Sequence, residues 1–366
     1  MTLSVVSGLM SSDGPGHERL VERIDAGLIA FLDERQASLA DLGDDLVPVL
    51  QAVRSFVLDG GKRLRPRFVY WGWRSAGTHD PDAAVITAAA SLELLHACAL
   101  VHDDVMDASD TRRGNPAVHA AFASIHREAG WTGDADAFGT ASAILIGDLL
   151  LSWSEAMFTS ADLPPEHRPG ARRVYDRMRE LVMAGQYLDV LVQARGEFSV
   201  DEALRVITFK TSKYTVEGPL HLGAAAAGAP PEVFAALSAY GLAVGEAFQL
   251  RDDVLGVFGD PGVTGKPAGD DLREGKQTLL TALAMERATD AQAAALRAGL
   301  GNRELATEGV AALRNVIVAT GALDQVEHRI AAKASEARVA LDDDALDDDA
   351  TRVLTDLIGT ATHRHS

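Results

Sequence analysis

The chain has 366 residues, a formal net charge of −19 at pH 7, and 47% hydrophobic and 24% charged side chains. This is an ordinary globular composition, and the negative charge argues against binding to the phosphate backbone of nucleic acids. Cys98 is the single cysteine, which excludes an intrachain disulfide and a thiolate metal cluster.

The N-terminal segment, residues 1–17, is rich in Ser, Gly and Pro and predicts a flexible terminus. No basic segment precedes its few apolar residues, so no secretory signal is predicted. The longest uncharged runs, such as 137–147 and 218–231, are shorter than the roughly 18–20 apolar residues that a spanning helix needs. We therefore expect a cytoplasmic protein without a membrane span.

From Glu18 onward, apolar residues recur at intervals of three and four, and Gly and Pro lie at the ends of segments of helical length. This pattern predicts an all-α fold, a helical bundle, in a single domain over 18–362. Two polar connections are expected, at 130–139 and at 259–275, and the longer one is typical of a lid or binding loop, although a plain solvated loop is the alternative. The acidic run 342–349 is expected to be solvated rather than a metal site.

The first candidate site lies at the end of a helical segment. Asp103, Asp104 and Asp107 follow a stretch whose only earlier charge is Glu93, and two arginines come a few residues later. Asp103 and Asp107 share a helix face, with Cβ atoms roughly 5–6 Å apart. Such a pair repels unless a cation lies between the carboxylates, so the pattern predicts a site for a divalent cation and a phosphate.

A second acidic cluster lies far downstream, at the polar end of another apolar segment. Gln249 is four residues before Asp253 and three before Asp252, so an amide and a carboxylate share a face there. Helical bundles build metal sites from carboxylates on facing helices. The complementary cations are concentrated in 60–67, where Lys62, Arg63, Arg65 and Arg67 follow a Gly-Gly pair. They predict an anion site, with a solvated helix start as the alternative.

These motifs, with Arg112-Arg113-Gly114 and Lys210-Thr211, occur in the order and spacing of the trans-isoprenyl diphosphate synthases, the polyprenyl synthetase family. The chain resembles a short-chain, geranylgeranyl diphosphate synthase-like member over roughly 20–340. The resemblance implies an all-α bundle of the isoprenoid synthase type around a deep central cavity, usually in a homodimer. It also implies about three Mg²⁺ ions per active site, and isopentenyl diphosphate and an allylic diphosphate as substrates.

The family's roles transfer by position. The metal ligands would be Asp103, Asp107 and Asp252, with Asp104 and Asp253 orienting water or ligands. The allylic diphosphate would contact Arg112, Lys210 and Lys266. The diphosphate of isopentenyl diphosphate would contact Lys62, Arg65, His96 and Arg113. Dipoles of Thr211 and Gln249 would face the allylic cation. Together with Lys210 and the three metal-binding aspartates, these two residues form the implied catalytic set.

Three positions depart from the family pattern. The second motif ends in Gly256 where many relatives have a further Asp, so its metal binding would depend on Asp252 and Asp253, with possible help from Asp260. His96 lies where some members have an amide, and both groups can donate a hydrogen bond to phosphate. Lys213 and Tyr214 follow Lys210-Thr211 and add a cation and a phenol.

Product length is expected to depend on the helix upstream of Asp103. Ala99 is one turn below Asp103, Cys98 lies beside it, and Leu95 is one turn deeper. In the family an aromatic residue at either of the first two positions stops growth at C15. Their small size predicts a C20 product, with C15 or C25 as alternatives, unless they only allow close helix packing.

Two other functions compete with this one. The chain could be a class I terpene cyclase or a non-catalytic helical subunit.

Overall fold

The computed structural model describes residues 15–78, 82–196, 199–259 and 269–362. Within these ranges the secondary structure is helical except for one short hairpin, so the predicted all-α class is confirmed. The hairpin joins β1 (Thr111–Arg112) to β2 (Asn115–Pro116). Its turn residues, Arg113 and Gly114, have φ of 53° and 77°, as a two-residue type I′ turn requires.

The helices of the first part of the chain are α1 (Pro15–Ser38), α2 (Val47–Leu58), α3 (Leu64–Arg74), α4 (Ala83–Met106), α5 (Val118–Glu128) and α6 (Ala135–Ser160). Two 3₁₀ turns, Ala40–Leu42 and Asp44–Leu46, precede α2. Helix α1 begins three residues before the predicted start at Glu18. The connection predicted at 130–139 is shorter than expected, because Asp134 caps α6 by accepting hydrogen bonds from the backbone N–H groups of Asp136 and Ala137.

The helices of the second part are α7 (Arg168–Arg195), α8 (Val200–Val206), α9 (Gly218–Ala227), α10 (Pro231–Phe258), α11 (Asp270–Glu274), α12 (Leu279–Arg287), α13 (Asp290–Gly299), α14 (Thr307–Ala319), α15 (Ala322–Ala340) and α16 (Asp348–Thr362). Between α8 and α9 lies the π segment, Ile207–Glu217, an 11-residue π-helical stretch. Residues 260–268 of the predicted lid lie outside the described residues, and α11 forms much of the rest of that connection.

The chain divides into two compact units. Of the described residues, the first contains 15–71, 82–110 and 116–164, and the second contains 72–78, 111–115, 165–196, 199–259 and 269–362. In the first unit, α6 packs on α4 and α5, and His102 of α4 packs directly against Gly147 of α6, where a Cβ would lie 2.0 Å from its Nε2. The single domain predicted for 18–362 stays a prediction.

In the second unit, α10 packs on the π segment, on α15 and on α16. Two glycines allow the backbone of the π segment to approach its neighbours. A Cβ at Gly185 of α7 would lie 2.6 Å from the backbone N of Lys210, and one at Gly245 of α10 would lie 2.4 Å from Cα of Ser212. The π segment is thus held between α7 and α10, and it carries Lys210 and Thr211.

Three helices, α4, α6 and α10, are long and apolar enough to cross a membrane by length and composition. The expectation that no segment reaches this length was wrong, because it counted only uncharged runs, whereas the most apolar stretch of each of these helices includes up to two charged residues. Of the most apolar stretch, 72% is buried inside the protein in α4, 56% in α10 and 28% in α6.

Candidate active site

The first acidic motif forms the C-terminal end of α4. The N–H of Ser109 donates to the carbonyl of Asp104 (2.9 Å), and the N–H of Ala108 donates to that of Val105 (3.3 Å), which is the Schellman pattern. Ala108 occupies the left-handed position (φ 50°) where glycine is usual. Negatively charged side chains are repelled by the partial negative charge at a helix C-terminus. The helix dipole therefore disfavours these carboxylates, and a bound cation would offset this effect.

Within that motif the aspartates differ in exposure. Asp104 is buried, with 1% of its surface exposed, whereas Asp103 and Asp107 are half-buried. The second motif repeats this order, since Asp253 is buried and Asp252 is exposed. In each motif the accessible carboxylates are those predicted to bind metal, and the buried one is predicted to orient ligands.

The cations of the basic cluster at 60–67 differ in their exposure to solvent. Arg63 is 3% exposed and donates to Asp25 (2.7 Å), to Glu93 (2.9 Å) and to the carbonyl of Val57 (2.9 Å). Arg63 therefore has a structural role, and it provides the partner of Glu93, the isolated charge within α4. Arg67 is also buried.

The residues predicted to bind isopentenyl diphosphate remain accessible to different degrees. Lys62 and Arg113 are exposed, and Arg65 and His96 are half-buried. Of the residues predicted for the allylic diphosphate, Arg112 is half-buried in β1, and Lys266 lies outside the described residues. Asp260 also lies outside them.

The second motif is part of a hydrogen-bonded network in the second unit. The Thr211 hydroxyl donates to Oε1 of Gln249 (2.6 Å), and Nε2 of Gln249 donates to Oδ1 of Asp253 (2.8 Å). Burial raises the pKa of the Asp253 carboxyl to about 7, although Lys276 and Gln249 act in the opposite direction. The two residues predicted to face the allylic cation therefore orient each other.

Gly256, the departure in the second motif, lies against a carboxylate from another helix. A Cβ at this position would lie 2.0 Å from Oδ2 and 2.4 Å from Cγ of Asp271, the second residue of α11. Asp271 is 5% exposed, and its Oδ2 is 3.8 Å from Nζ of Lys276. The carboxylate of Asp271 raises the pKa of Lys276 above its usual value, Asp253 and Asp252 add to this effect, and burial opposes it.

Lys210 of the π segment is oriented by Asp189 of α7. Its Nζ donates to Oδ2 of Asp189 at 2.6 Å, and Asp189 is 7% exposed. π-Helical stretches within α-helices frequently occur at functional sites. Lys213, whose orientation the sequence left open, donates to Glu217 within the same segment (2.8 Å), and the side chain of Tyr214 is buried.

The three residues predicted to set product length lie on α4 with unequal exposure. Leu95 is 1% and Cys98 is 5% exposed, whereas Ala99 is half-buried. Sγ of Cys98 lies 3.8 Å from Nδ1 of His102, and burial raises the pKa of the thiol to about 12. Ala99 is therefore the most accessible of the three.

The donor chemistry of the acidic motifs fits Mg²⁺. Both offer carboxylate oxygens, the ligands that this hard cation prefers, and Mg²⁺ is commonly held by one or two carboxylates together with substrate phosphates. Among the described residues no three His, Cys, Asp or Glu side chains are grouped closely enough to form a metal site by themselves. A Mg²⁺ ion held by these carboxylates would therefore need further oxygen ligands from water or phosphate.

Comparison with known proteins assigns the family. Residues 47–317 match the polyprenyl synthetase family. The chain belongs to this family. The predicted family, helical-bundle fold type and enzyme class, a prenyltransferase, are thereby confirmed.

Individual polyprenyl synthetases support the assignment. A crystal structure of geranylgeranyl pyrophosphate synthase from Corynebacterium glutamicum, complexed with isoprenyl diphosphate and magnesium, is 43% identical with a TM-score of 0.91, covering 95% of this chain and 99% of that one. A geranylfarnesyl diphosphate synthase from Aeropyrum pernix is 34% identical over 74% of this chain and 79% of its own length. A geranylgeranyl diphosphate synthase from Methanosarcina mazei is 32% identical over 86% and 92%.

Sequence reasoning missed Asp189, Asp271 and Lys276 as members of the site. Asp189 was detectable, because it is the only charged residue in the otherwise uncharged stretch 181–194 of α7. Asp271 was noted only as a charge within the long connection. The contact between Asp271 and Gly256 has no signal in the sequence, because it depends on how α11 packs against α10.

Proposed function

We propose that this polyprenyl synthetase condenses isopentenyl diphosphate with an allylic diphosphate, in a Mg²⁺-dependent reaction, to form the all-trans C20 product geranylgeranyl diphosphate. The observation that carries the proposal is the presence of both acidic motifs, each with an accessible and a buried aspartate, in a chain 43% identical to a geranylgeranyl pyrophosphate synthase. Another relative is named a geranylfarnesyl diphosphate synthase. Because relatives differ in product, the product length is tested separately.

The reaction begins with cleavage of the bond between C1 of the allylic substrate and its diphosphate. Asp103, Asp107 and Asp252 would hold about three Mg²⁺ ions, whose positive charge would stabilise the departing diphosphate. Arg112, Lys210 and Lys266 bind the same diphosphate. Lys210 is oriented for this by Asp189, whose carboxylate accepts a hydrogen bond from the Lys210 ammonium group at 2.6 Å.

The second substrate then supplies the electrons for the new bond. Lys62, Arg65, His96 and Arg113 bind the diphosphate of isopentenyl diphosphate and place its double bond near the allylic carbon. The Thr211 hydroxyl donates a hydrogen bond to Gln249, so the lone pairs of its oxygen are left to stabilise the allylic cation. The double bond attacks this cation, and loss of a proton to the departed diphosphate completes the reaction without a side-chain nucleophile.

The direct test is incubation of the protein with Mg²⁺, isopentenyl diphosphate and, separately, C5, C10 and C15 allylic diphosphates. We expect condensation with at least one primer, a C20 main product, and loss of the activity on metal chelation. A class I terpene cyclase would instead release a hydrocarbon from a single allylic diphosphate. No condensation with any primer would exclude the proposal.

Product length is tested at Ala99. Because Ala99 is the most accessible of the three predicted residues, Ala99→Phe is expected to shorten the main product from C20 to C15. Cys98→Phe places the ring at a buried position and is expected to act less cleanly, through repacking. An unchanged product spectrum in the folded Ala99→Phe protein would contradict this part of the proposal.

We also propose that the enzyme is a cytoplasmic homodimer without a membrane span. Helix α6 supports dimerisation, because only 28% of its most apolar stretch is buried and Leu145 and Ile144 are 68% and 45% exposed. An apolar surface of this kind is typical of a protein interface. Light scattering should give twice the mass of the chain, and Leu145→Glu should reduce it to that of one chain.

A further inference from the structure

Arg251 is the residue immediately before Asp252, and its guanidinium group uses three of its donors in one place. Nη1 and Nη2 donate to the two carboxylate oxygens of Glu327, each at 2.7 Å. Nε donates to the backbone carbonyl of Thr362 at 2.9 Å. We call Arg251, Glu327 and Thr362 the Arg251 junction.

The junction fixes the rotation of α10 at the second acidic motif. Successive residues of an α-helix are about 100° apart around its axis, so Arg251 lies about 100° from Asp252 and about 160° from Asp253 and Gln249. On their side of the helix, Gln249 accepts a hydrogen bond from Thr211 of the π segment and donates one to Asp253. Arg251, on the nearly opposite side of α10, is bonded to Glu327 and Thr362. Asp252 is exposed and lies between these two bonded sides of the helix.

Both partners of Arg251 come from the C-terminal part of the chain, beyond residue 317, where the family match ends. Glu327 belongs to α15, and Thr362 is the last residue of α16. Helix α16 is also held to α10 by the Tyr240 hydroxyl, which donates to the carbonyl of Leu354 (2.8 Å). Tyr240 and Arg251 are about 16 Å apart along α10, so the two polar contacts fix α16 at separate points.

We propose that Arg251 is a positioning residue, through which α15 and the end of α16 hold Asp252 in the orientation that binds Mg²⁺ together with a substrate diphosphate. The proposal rests on the function proposed above and extends it to a segment outside the family match. The planar guanidinium makes the paired bonds to Glu327 and the third bond to Thr362 simultaneously, and a lysine ammonium cannot reproduce this geometry.

The test compares Arg251→Ala and Arg251→Lys with a matched control, Arg329→Ala. Arg329 of α15 donates to Glu246 of α10, so it also joins these two helices by an arginine–glutamate ion pair, and this hydrogen bond does not involve α16. Two properties are measured for each protein. Calorimetry gives the affinity for inorganic diphosphate in the presence of Mg²⁺, and initial rates give kcat, KM and the half-saturating Mg²⁺ concentration.

We expect Arg251→Ala to weaken Mg²⁺-dependent diphosphate binding at least fivefold and to lower kcat about tenfold or more, because small misplacements of catalytic groups are costly. The half-saturating Mg²⁺ concentration should rise with little change in the KM for isopentenyl diphosphate. Arg251→Lys should lie between the wild type and Arg251→Ala, and Arg329→Ala should change each property less than twofold.

Equal effects of Arg251→Ala and Arg329→Ala would overturn the proposal, because both would then report only the packing of α10 on α15. If Arg251→Ala does not fold, Arg251→Lys and Glu327→Gln decide the question by the same two measurements, and wild-type values in both would reject it. Failure of the proposed function is distinct, since the wild-type protein would then form no prenyl diphosphate at all.

Discussion

The two acidic motifs are similar in sequence but differ in how their surroundings hold them. At the end of α4, the backbone provides the order through a Schellman turn, with Ala108 in a left-handed conformation. In α10, more than one turn before the helix ends, side chains contribute to it, through Thr211 and Gln249 on one side and Arg251 on the other. Substitutions near the first motif should therefore affect binding more than folding, and those near the second should affect both.

The difference also concerns charge. The α4 carboxylates lie at a helix C-terminus, where the helix dipole is unfavourable to negative charge and a bound cation is stabilising. Near the α10 carboxylates, Lys276 is a cation of the protein itself, with its pKa raised by Asp271, Asp253 and Asp252. Added Mg²⁺ should therefore stabilise the α4 motif by offsetting this effect of the helix dipole.

The substitution with the largest expected effect lies at the end of α4, and it should lower activity without lowering stability. Asp103→Ala should lower kcat about 10³-fold or more, because it removes a proposed metal ligand. The same change should leave the thermal midpoint in metal-free buffer unchanged or slightly raised, since it removes a negative charge from a helix C-terminus. Steady-state assays and thermal unfolding measure the two effects.

The control for this variant is Asp110→Ala, which removes an exposed carboxylate just beyond α4 and should keep near-wild-type activity. Full activity in Asp103→Ala would reject the metal assignment. A large fall in its thermal midpoint would show that the two motifs do not differ in the way described.

Sequence reasoning identified both motifs, because a spacing of three or four residues on a helix places side chains on one face whatever the rest of the fold does. It failed at Arg63, which it grouped with three other cations, because the partner Glu93 lies 30 residues away along the chain. It also failed to predict the π segment, whose hydrogen-bond pattern has no distinct hydrophobic period. Local geometry was predictable, and long-range pairing was not.

Gly256→Ala tests the dependence of the second motif on its neighbours. The new Cβ would lie 2.0 Å from Oδ2 of the buried Asp271, so α11 or the carboxylate must move. We expect a loss of about 1–3 kcal/mol in the free energy of unfolding, typical of overpacking in a core. Activity should also fall, because Asp271 lies next to Lys276.

The matched control is Gly359→Ala in α16, where a Cβ meets no atom within 4 Å. Alanine has the higher helix propensity, so this variant should be stabilised by up to about 1 kcal/mol. Chemical denaturation of both proteins measures the difference, and equal stabilities would mean that the Asp271 contact imposes no constraint.

Thr211→Val removes one hydrogen bond of the α10 network while keeping the shape of the side chain. Gln249 then lacks the donor at 2.6 Å from its Oε1, and we expect a loss of about 1 kcal/mol in stability together with reduced kcat. Thr208→Val is the comparison, because the Thr208 hydroxyl donates only to the carbonyl of Leu204 one turn before it. If Thr208→Val reduces kcat as much as Thr211→Val, the network has no special role.

The smallest expected effect concerns the backbone turn of the first motif. Ala108→Gly relieves the left-handed conformation (φ 50°), which costs an alanine roughly 1 kcal/mol, but it also increases the flexibility of the unfolded chain. We expect a gain of a few tenths of a kcal/mol in stability from these opposed terms, with kcat and the half-saturating Mg²⁺ concentration unchanged. A marked change in the Mg²⁺ dependence would show that Asp103 and Asp107 require the strained turn itself, because the substitution alters only backbone freedom at the position that follows Asp107.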